Sequence, residues 1–103
     1  IFNGLSMLEE LKLTGNRLKH LDENSFEGLH NLKHLDLSLN NQLEFNADNR
    51  QVFRFLTSIE EINLVPLTKL STKLFVSLNN LKKIHFYRYK IQIINHQKFF
   101  ETI

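Results

Sequence analysis

The amino-acid sequence predicts an α/β repeat: a solenoid made of one small strand–turn–arm unit stacked on copies of itself. Three observations carry that reading. The apolar residues between Leu8 and Asn31, namely Leu8, Leu11, Leu13, Leu18, Leu21, Phe26 and Leu29, keep neither a helical period nor a strand period throughout. Instead the period changes partway: Leu11-Lys12-Leu13 alternates as a short strand does, the chain turns at Thr14-Gly15-Asn16, and Phe26 and Leu29 return at the spacing of a helical or 3₁₀ turn. The same opening then recurs along the chain, and each of the first three openings is followed by a Phe-x-x-Leu return. A unit this small cannot bury its own apolar edge, so it needs neighbours of its kind on both sides.

In chain order, residues 1–7 hold the end of an earlier unit, with Phe2 and Leu5 in its return arm. The first whole repeat spans 8–31. LKHLDLSLNN opens the second, 32–58, placing Leu32, Leu35, Leu37 and Asn40 where Leu8, Leu11, Leu13 and Asn16 stood. IEEINL opens the third, 59–80, and LKKIHF opens the fourth, 81–103. The steps are 24 (8 to 32), 27 (32 to 59) and 22 (59 to 81) residues, and phase is recovered after each change of length. The arms pair Phe26 with Leu29, Phe53 with Leu56 and Phe75 with Leu78, and the last offers Phe99 with Thr102.

Regularity fails in identifiable places. The second repeat is longest, and its polar run from Asn46 to Gln51 reads as a bulged side loop. In the third repeat Val65-Pro66-Leu67 follows the strand, so Leu67 takes the place of Asn16, and Pro66, which has no amide hydrogen, ends the pairing. Tyr89 takes that place in the fourth.

Repeats of roughly 20 to 29 residues opening on L-x-x-L-x-L make the chain resemble a leucine-rich-repeat protein along essentially its whole length. The Phe before the final Leu resembles the typical subclass, found mainly in extracellular proteins that include Toll and Toll-like receptor ectodomains, Slit and lamprey lymphocyte receptors. LEELKLTGNRLKHLDENSFEGL matches that subclass at every framework position. The resemblance implies a leucine-rich-repeat solenoid, a right-handed β-α superhelix arc with a parallel concave β-sheet and irregular, 3₁₀ or short-helix convex arms. It also implies an asparagine ladder, in which the inward amides of Asn16 and Asn40 bond backbone groups of adjacent turns.

Composition allows a packed core, with 42% hydrophobic residues over 103. Formal net charge is only +2, but residues 1–61 hold ten acidic and six basic side chains while residues 62–103 hold one acidic and seven basic, a net of −4 against +6. The C-terminal part is therefore cationic. Cysteine is absent, which removes disulfides and Cys-based zinc sites. Taken alone, that absence favours a reducing compartment. In the proteins this chain resembles, however, cysteines belong mainly to the caps of the array, and no cap is recognisable here. The sequence also shows no secretory leader, no apolar run long enough to span a bilayer and no Asn-x-Ser/Thr acceptor. The expectation is a segment of a longer ectodomain that, alone, is weakly stable or associates through its open ends.

Outward positions between the framework leucines read across neighbouring strands as columns, with about 4.8 Å between equivalents. Glu9, Lys33, Glu60 and Lys82 form one column, Glu10, His34, Glu61 and Lys83 the next, and Lys12, Asp36, Asn63 and His85 a third. Alternating charge in these columns reads as cross-strand ion pairing or as a charged ligand floor. Two further columns, Thr14, Ser38, Val65, Tyr87 and Gly15, Leu39, Pro66, Arg88, pass from small and polar to apolar, aromatic and cationic. Tyr and Arg are enriched at interface hot spots, so Val65, Lys82, Lys83, His85, Tyr87 and Arg88, with Lys90 near them, form the candidate ligand-binding set. The competing reading packs Tyr87 against a following repeat.

Catalysis has little to work with. There is no cysteine nucleophile, glycine-rich phosphate cradle or nucleophile elbow. His30 and His34 have the spacing of a helical metal pair, but Leu32 and Leu35 place them at the approach and start of a strand, where the rings do not share a face. Glu9-Glu10 and Glu60-Glu61 read as solvated or paired carboxylates rather than an acid–base dyad. The expectation is a non-enzymatic recognition module without cofactor or metal, part of an extracellular or cell-surface receptor of Toll-like type serving innate immunity or development. Adhesion, matrix or guidance proteins use the same scaffold. Expected partners are a protein ligand or co-receptor, neighbouring repeats of the parent chain and a second copy in a homodimer. Nucleic acid stands behind these on the strength of the +6 half, and membrane attachment would come only from parts outside this chain.

Overall fold

The computed structural model describes residues 4–40, 43, 51–64, 72–75, 77–86 and 89–92; for 72, 73, 86 and 89–92 it describes the backbone. Five strands lie in one sheet in chain order: β1 (Glu10–Lys12), β2 (His34–Asp36), β3 (Glu61–Asn63), β4 (Lys83–Phe86) and β5 (Tyr89–Gln92). The first four are parallel, and each begins two residues after the leucine or isoleucine that opens its repeat. Their register aligns Leu11, Leu35, Ile62 and Ile84 as one inward row.

The strands are short because the alternation that makes them lasts only from one framework leucine to the next. Pairing is nonetheless identical at each step. Lys33 and His34 amides donate to the Glu9 carbonyl, Glu60 and Glu61 to Lys33, and Lys82 and Lys83 to Glu60, all at 2.8–3.1 Å. On leaving the strands, Leu13 donates to Asp36, Leu37 to Asn63 and Leu64 to His85 at 2.7–2.8 Å. The turn that follows needs a left-handed residue: Gly15 supplies it at φ 68°, and its equivalent Leu39 adopts φ 59° with its side chain exposed. A branched side chain there carries a steric cost that glycine avoids.

The return arms are pairs of linked tight turns. Leu29 donates to Phe26 and Leu32 to Leu29, and the same bonds recur as Leu56 to Phe53, Ile59 to Leu56, Leu78 to Phe75 and Leu81 to Leu78, at 3.0–3.3 Å. The third arm includes a 3₁₀ helix, Thr72–Phe75. This spacing drops one Phe and one Leu per unit onto the back of the sheet. Phe26, Phe53 and Phe75 stack with 6.0 Å between successive ring centroids, and all three are buried. Between these rings and the sheet, Leu35, Ile62, Ile84, Leu37, Leu64, Leu29, Leu56 and Leu78 complete the core. In the first unit Leu8, Leu11, Leu13, Leu18 and Leu21 are only partly buried, packing against that core from one end of the stack.

Two polar ladders tie the units together. Asn40 is fully buried; its Nδ2 lies 3.0 Å from the carbonyls of Leu13 and Leu37 and 3.2 Å from that of Ser38, while its Oδ1 accepts from the amides of Asn16 and Leu18 at 3.0 Å. Asn16 is exposed, and its side-chain amide donates only to Thr14 of its own turn, at 3.4 Å. Asn40 thus reaches back to the unit before it. The second ladder runs along the flank just ahead of the strands. Asn31 donates to the Ser6 carbonyl at 2.8 Å, Thr57 to His30 at 3.4 Å and Asn80 to Thr57 at 3.0 Å.

The sheet departs from expectation at its last strand. The resemblance implied parallel strands throughout and put Tyr89 in the asparagine place of a new turn; in the structure Tyr89 opens β5, which runs antiparallel to β4, with Phe86 opposite Tyr89 and Lys83 opposite Gln92. The sequence explains this. From Lys83 to Gln92 the residues are KIHFYRYKIQ, rich in aromatic and β-branched side chains, and Arg88 stands where Gly15 made the first turn. A parallel return needs a long crossover, and an antiparallel one does not. Leu67, Pro66, the run 46–50, Phe2 and Phe99 lie outside the described residues.

Asn40→Ala strands buried carbonyls and amides in two units and is expected to cost about 3 kcal/mol in urea unfolding, against less than about 1 kcal/mol for Asn16→Ala. Leu39→Gly relieves the left-handed backbone and is expected to raise stability by about 0.5–1 kcal/mol in the same measurement.

Candidate functional site

The sheet turns one face to the core and the other outward, because side chains alternate along each strand. The outward set is Glu10 and Lys12 on β1, His34 and Asp36 on β2, Glu61 and Asn63 on β3, and Lys83 and His85 on β4. Register pairs Glu10 with His34, His34 with Glu61 and Glu61 with Lys83 across one column, and Lys12, Asp36, Asn63 and His85 across the other. Ahead of the strands, Lys33 meets Glu9 and Lys82 meets Glu60, each at 3.4 Å. Lys12 and Glu10 pair within β1 at 3.3 Å. These exposed pairs add little stability but hold the columns in place.

Glu61 occupies the middle of the face. Its Oε1 lies 2.7 Å from His85 Nε2 on β4, and its Oε2 lies 3.4 Å from His34 Nδ1 on β2. The His85 hydrogen bond holds the Glu61 carboxyl below its ordinary value of 4.5; partial burial opposes this, and charge from His85, His34 and Lys83 reinforces it. Asp36 is also held below its ordinary 3.8: burial pushes it up, but bonds from Ser38 outweigh that, with Thr14 and Asn63 contributing. Ser38 donates its hydroxyl to Asp36 at 2.6 Å and its amide at 2.9 Å. Together Glu10, Lys12, His34, Asp36, Glu61, Asn63 and His85 line an open groove of about 270 Å³, floored by Leu11 and Leu35.

Of the candidate ligand-binding residues, the structure brings Lys83 and His85 together on β4 and puts Lys82 just ahead of them, exposed and paired to Glu60. Val65, Tyr87 and Arg88 lie outside the described residues, and Lys90 is placed by backbone alone, opposite His85 in β5. His30 sits exposed in the turn before β2 and His34 on β2 itself. Among the described residues no group of three or more His, Asp or Glu side chains is arranged to hold a metal ion.

The column reading paired Glu61 with Lys83 and missed its shortest contact, the diagonal one to His85. Diagonal neighbours on adjacent strands are within reach of long side chains, and that rule was the available signal. The flank ladder was missed as well. Its signal was the repetition of Asn31 and Asn80 one residue ahead of two openings.

Short in-register parallel strands, tight-turn arms and a phenylalanine spine define a repeat solenoid that presents one sheet face. The family model described as leucine rich repeat matches residues 1–43, which supports a leucine-rich-repeat protein. No curated protein matches the chain. Repeats of this kind are stacking scaffolds that present extended binding surfaces, so the coarse function is that of a protein-interaction module. No helix among the described residues is long and apolar enough to cross a membrane.

The lowered carboxyls set a pH dependence. The folded chain holds Asp36 and Glu61 ionised where the unfolded chain has begun to bind protons. Their stabilisation is intact above the ordinary carboxyl values and is lost as pH falls through the folded ones. The urea midpoint is expected to drop between about pH 5 and pH 3, and to drop less steeply in Glu61→Gln.

Proposed function

We propose that this chain is the recognition segment of an extracellular leucine-rich-repeat receptor of Toll-like type, which binds a protein ligand or co-receptor through the outward sheet face around β4. The carrying observation is an in-register face with Lys82, Lys83 and His85 along its C-terminal side. Val65, Tyr87 and Arg88 extend that surface in this reading, adding the apolar, aromatic and cationic groups that anchor protein interfaces. The subclass-type arm with Phe ahead of Leu, as in NSFEGL, supports the extracellular setting. Residues 8–31, 32–58, 59–80 and 81–103 are then the successive units of the segment, with a second receptor copy as a further partner.

One observation favours a second reading. Residues 62–103 carry a net charge of +6, which suits nucleic acid.

Screening the 103-residue chain against arrayed extracellular proteins is expected to yield a binder whose affinity falls about tenfold or more in Tyr87→Ala/Arg88→Ala and in Lys82→Ala/Lys83→Ala. Equal affinity for both variants removes this face from recognition. Affinity for an oligonucleotide that falls steeply with log salt moves the assignment to nucleic acid. The setting is tested separately: an epitope tag on the parent protein should be labelled on intact cells, and labelling only after permeabilisation overturns it.

A further inference from the structure

Glu61 stands on the middle strand of three, and its two oxygens point to opposite neighbours: Oε2 to His34 Nδ1 on β2 at 3.4 Å and Oε1 to His85 Nε2 on β4 at 2.7 Å. One carboxylate therefore spans three repeats. Among the described residues no other ion pair joins more than two of them. Other charged and polar groups neighbour these three, and Lys90 stands opposite His85 in β5. Lys83 faces Glu61 from β4 in register, Asn63 shares its strand, Asp36 on β2 takes both Ser38 bonds, Glu10 and Lys12 pair on β1, and Glu60 holds Lys82 alongside.

The two contacts differ from the neighbouring lysine pairs in that their basic partner is an imidazole, charged only when protonated. Imidazole is the side chain whose charge ordinarily changes near pH 6.5. A neutral ring has one N–H, so the 2.7 Å contact is a hydrogen bond with a neutral His85 only if that ring carries its proton on Nε2, while His34 stands at ion-pair distance, 3.4 Å, and attracts the carboxylate fully only when charged. Proton uptake lifts that restriction, makes the His85 hydrogen bond charge-assisted, roughly doubling its strength, and turns the His34 contact into an ion pair. It also changes the groove. With neutral imidazoles the lining has three carboxylates, Glu10, Asp36 and Glu61, against the one ammonium of Lys12; two imidazolium charges bring this lining to balance.

We propose that His34, Glu61 and His85 form a proton-operated clamp that draws β2, β3 and β4 together and neutralises the groove when the two imidazoles are protonated. The clamp rests on the sheet geometry alone, whatever partner the face takes. Further acidification, which protonates Glu61 itself, releases it. The device thus has a working window bounded by imidazole on one side and carboxyl on the other.

The test is the urea midpoint of the 103-residue chain and of Glu61→Gln, each at pH 8 and pH 6. The gap between the two is expected to widen at least about twofold at pH 6, because each imidazolium then loses its anion. In a His34→Gln/His85→Gln background the gap should be the same at both values. A gap that does not change with pH in the native background overturns the clamp, as does one that widens equally without the histidines. Should Glu61→Gln fail to fold, the histidine double variant decides alone: the native chain must gain stability over it on acidification from pH 8 to pH 6, and parallel profiles overturn the proposal.

Discussion

Each unit of this protein is too small to satisfy itself, and everything else follows from its dependence on the next. A three-residue strand has backbone groups on both edges and one apolar side chain facing inward, so pairing and burial are both completed by a neighbour. Identical lateral pairing at each parallel step meets the first need, and the Phe26–Phe53–Phe75 stack with its leucine rows meets the second. The gradient of burial shows the dependence directly. Leu35 and Ile62 are buried, while their equivalent Leu11 at the first strand is only half-buried.

Stacking in register also determines what the outer face can be. Equivalent residues of successive repeats are brought side by side, so a charge pattern spread over some 75 residues of sequence (10 to 85) becomes a compact array. Glu9 with Lys33 and Glu60 with Lys82 are simple lateral pairs. Glu61 is different because it is the one acidic member of its column with histidines within reach on both sides.

Much of this was legible. The opening L-x-x-L-x-L and the Phe-x-x-Leu return locate β1 to β4 and the spine, because inward and outward positions are dictated by local periodicity. The first three columns were legible for the same reason: once repeats are aligned, register follows. What escaped was lateral or directional detail. Whether Glu61 would bond straight across to Lys83 or diagonally to His85 depends on side-chain reach and twist. Whether Asn16 and Asn40 would behave alike depends on which backbone groups each amide meets: Asn40 reaches the Leu13 carbonyl of the unit before it, while Asn16 bonds Thr14 of its own turn.

By itself the sequence determined the repeat, its phase, the inward rows, the outward columns through β1 to β4 and the charge asymmetry of the two halves, all consequences of residue type at fixed spacing. Only the tertiary structure decided that the chain reverses after β4, that Leu39 takes a left-handed backbone and that one carboxylate links three strands. The reason is physical. Periodicity specifies which side of a unit a residue faces, but not how far a side chain leans toward a neighbour, nor whether the next segment gains more from crossing over or from folding straight back.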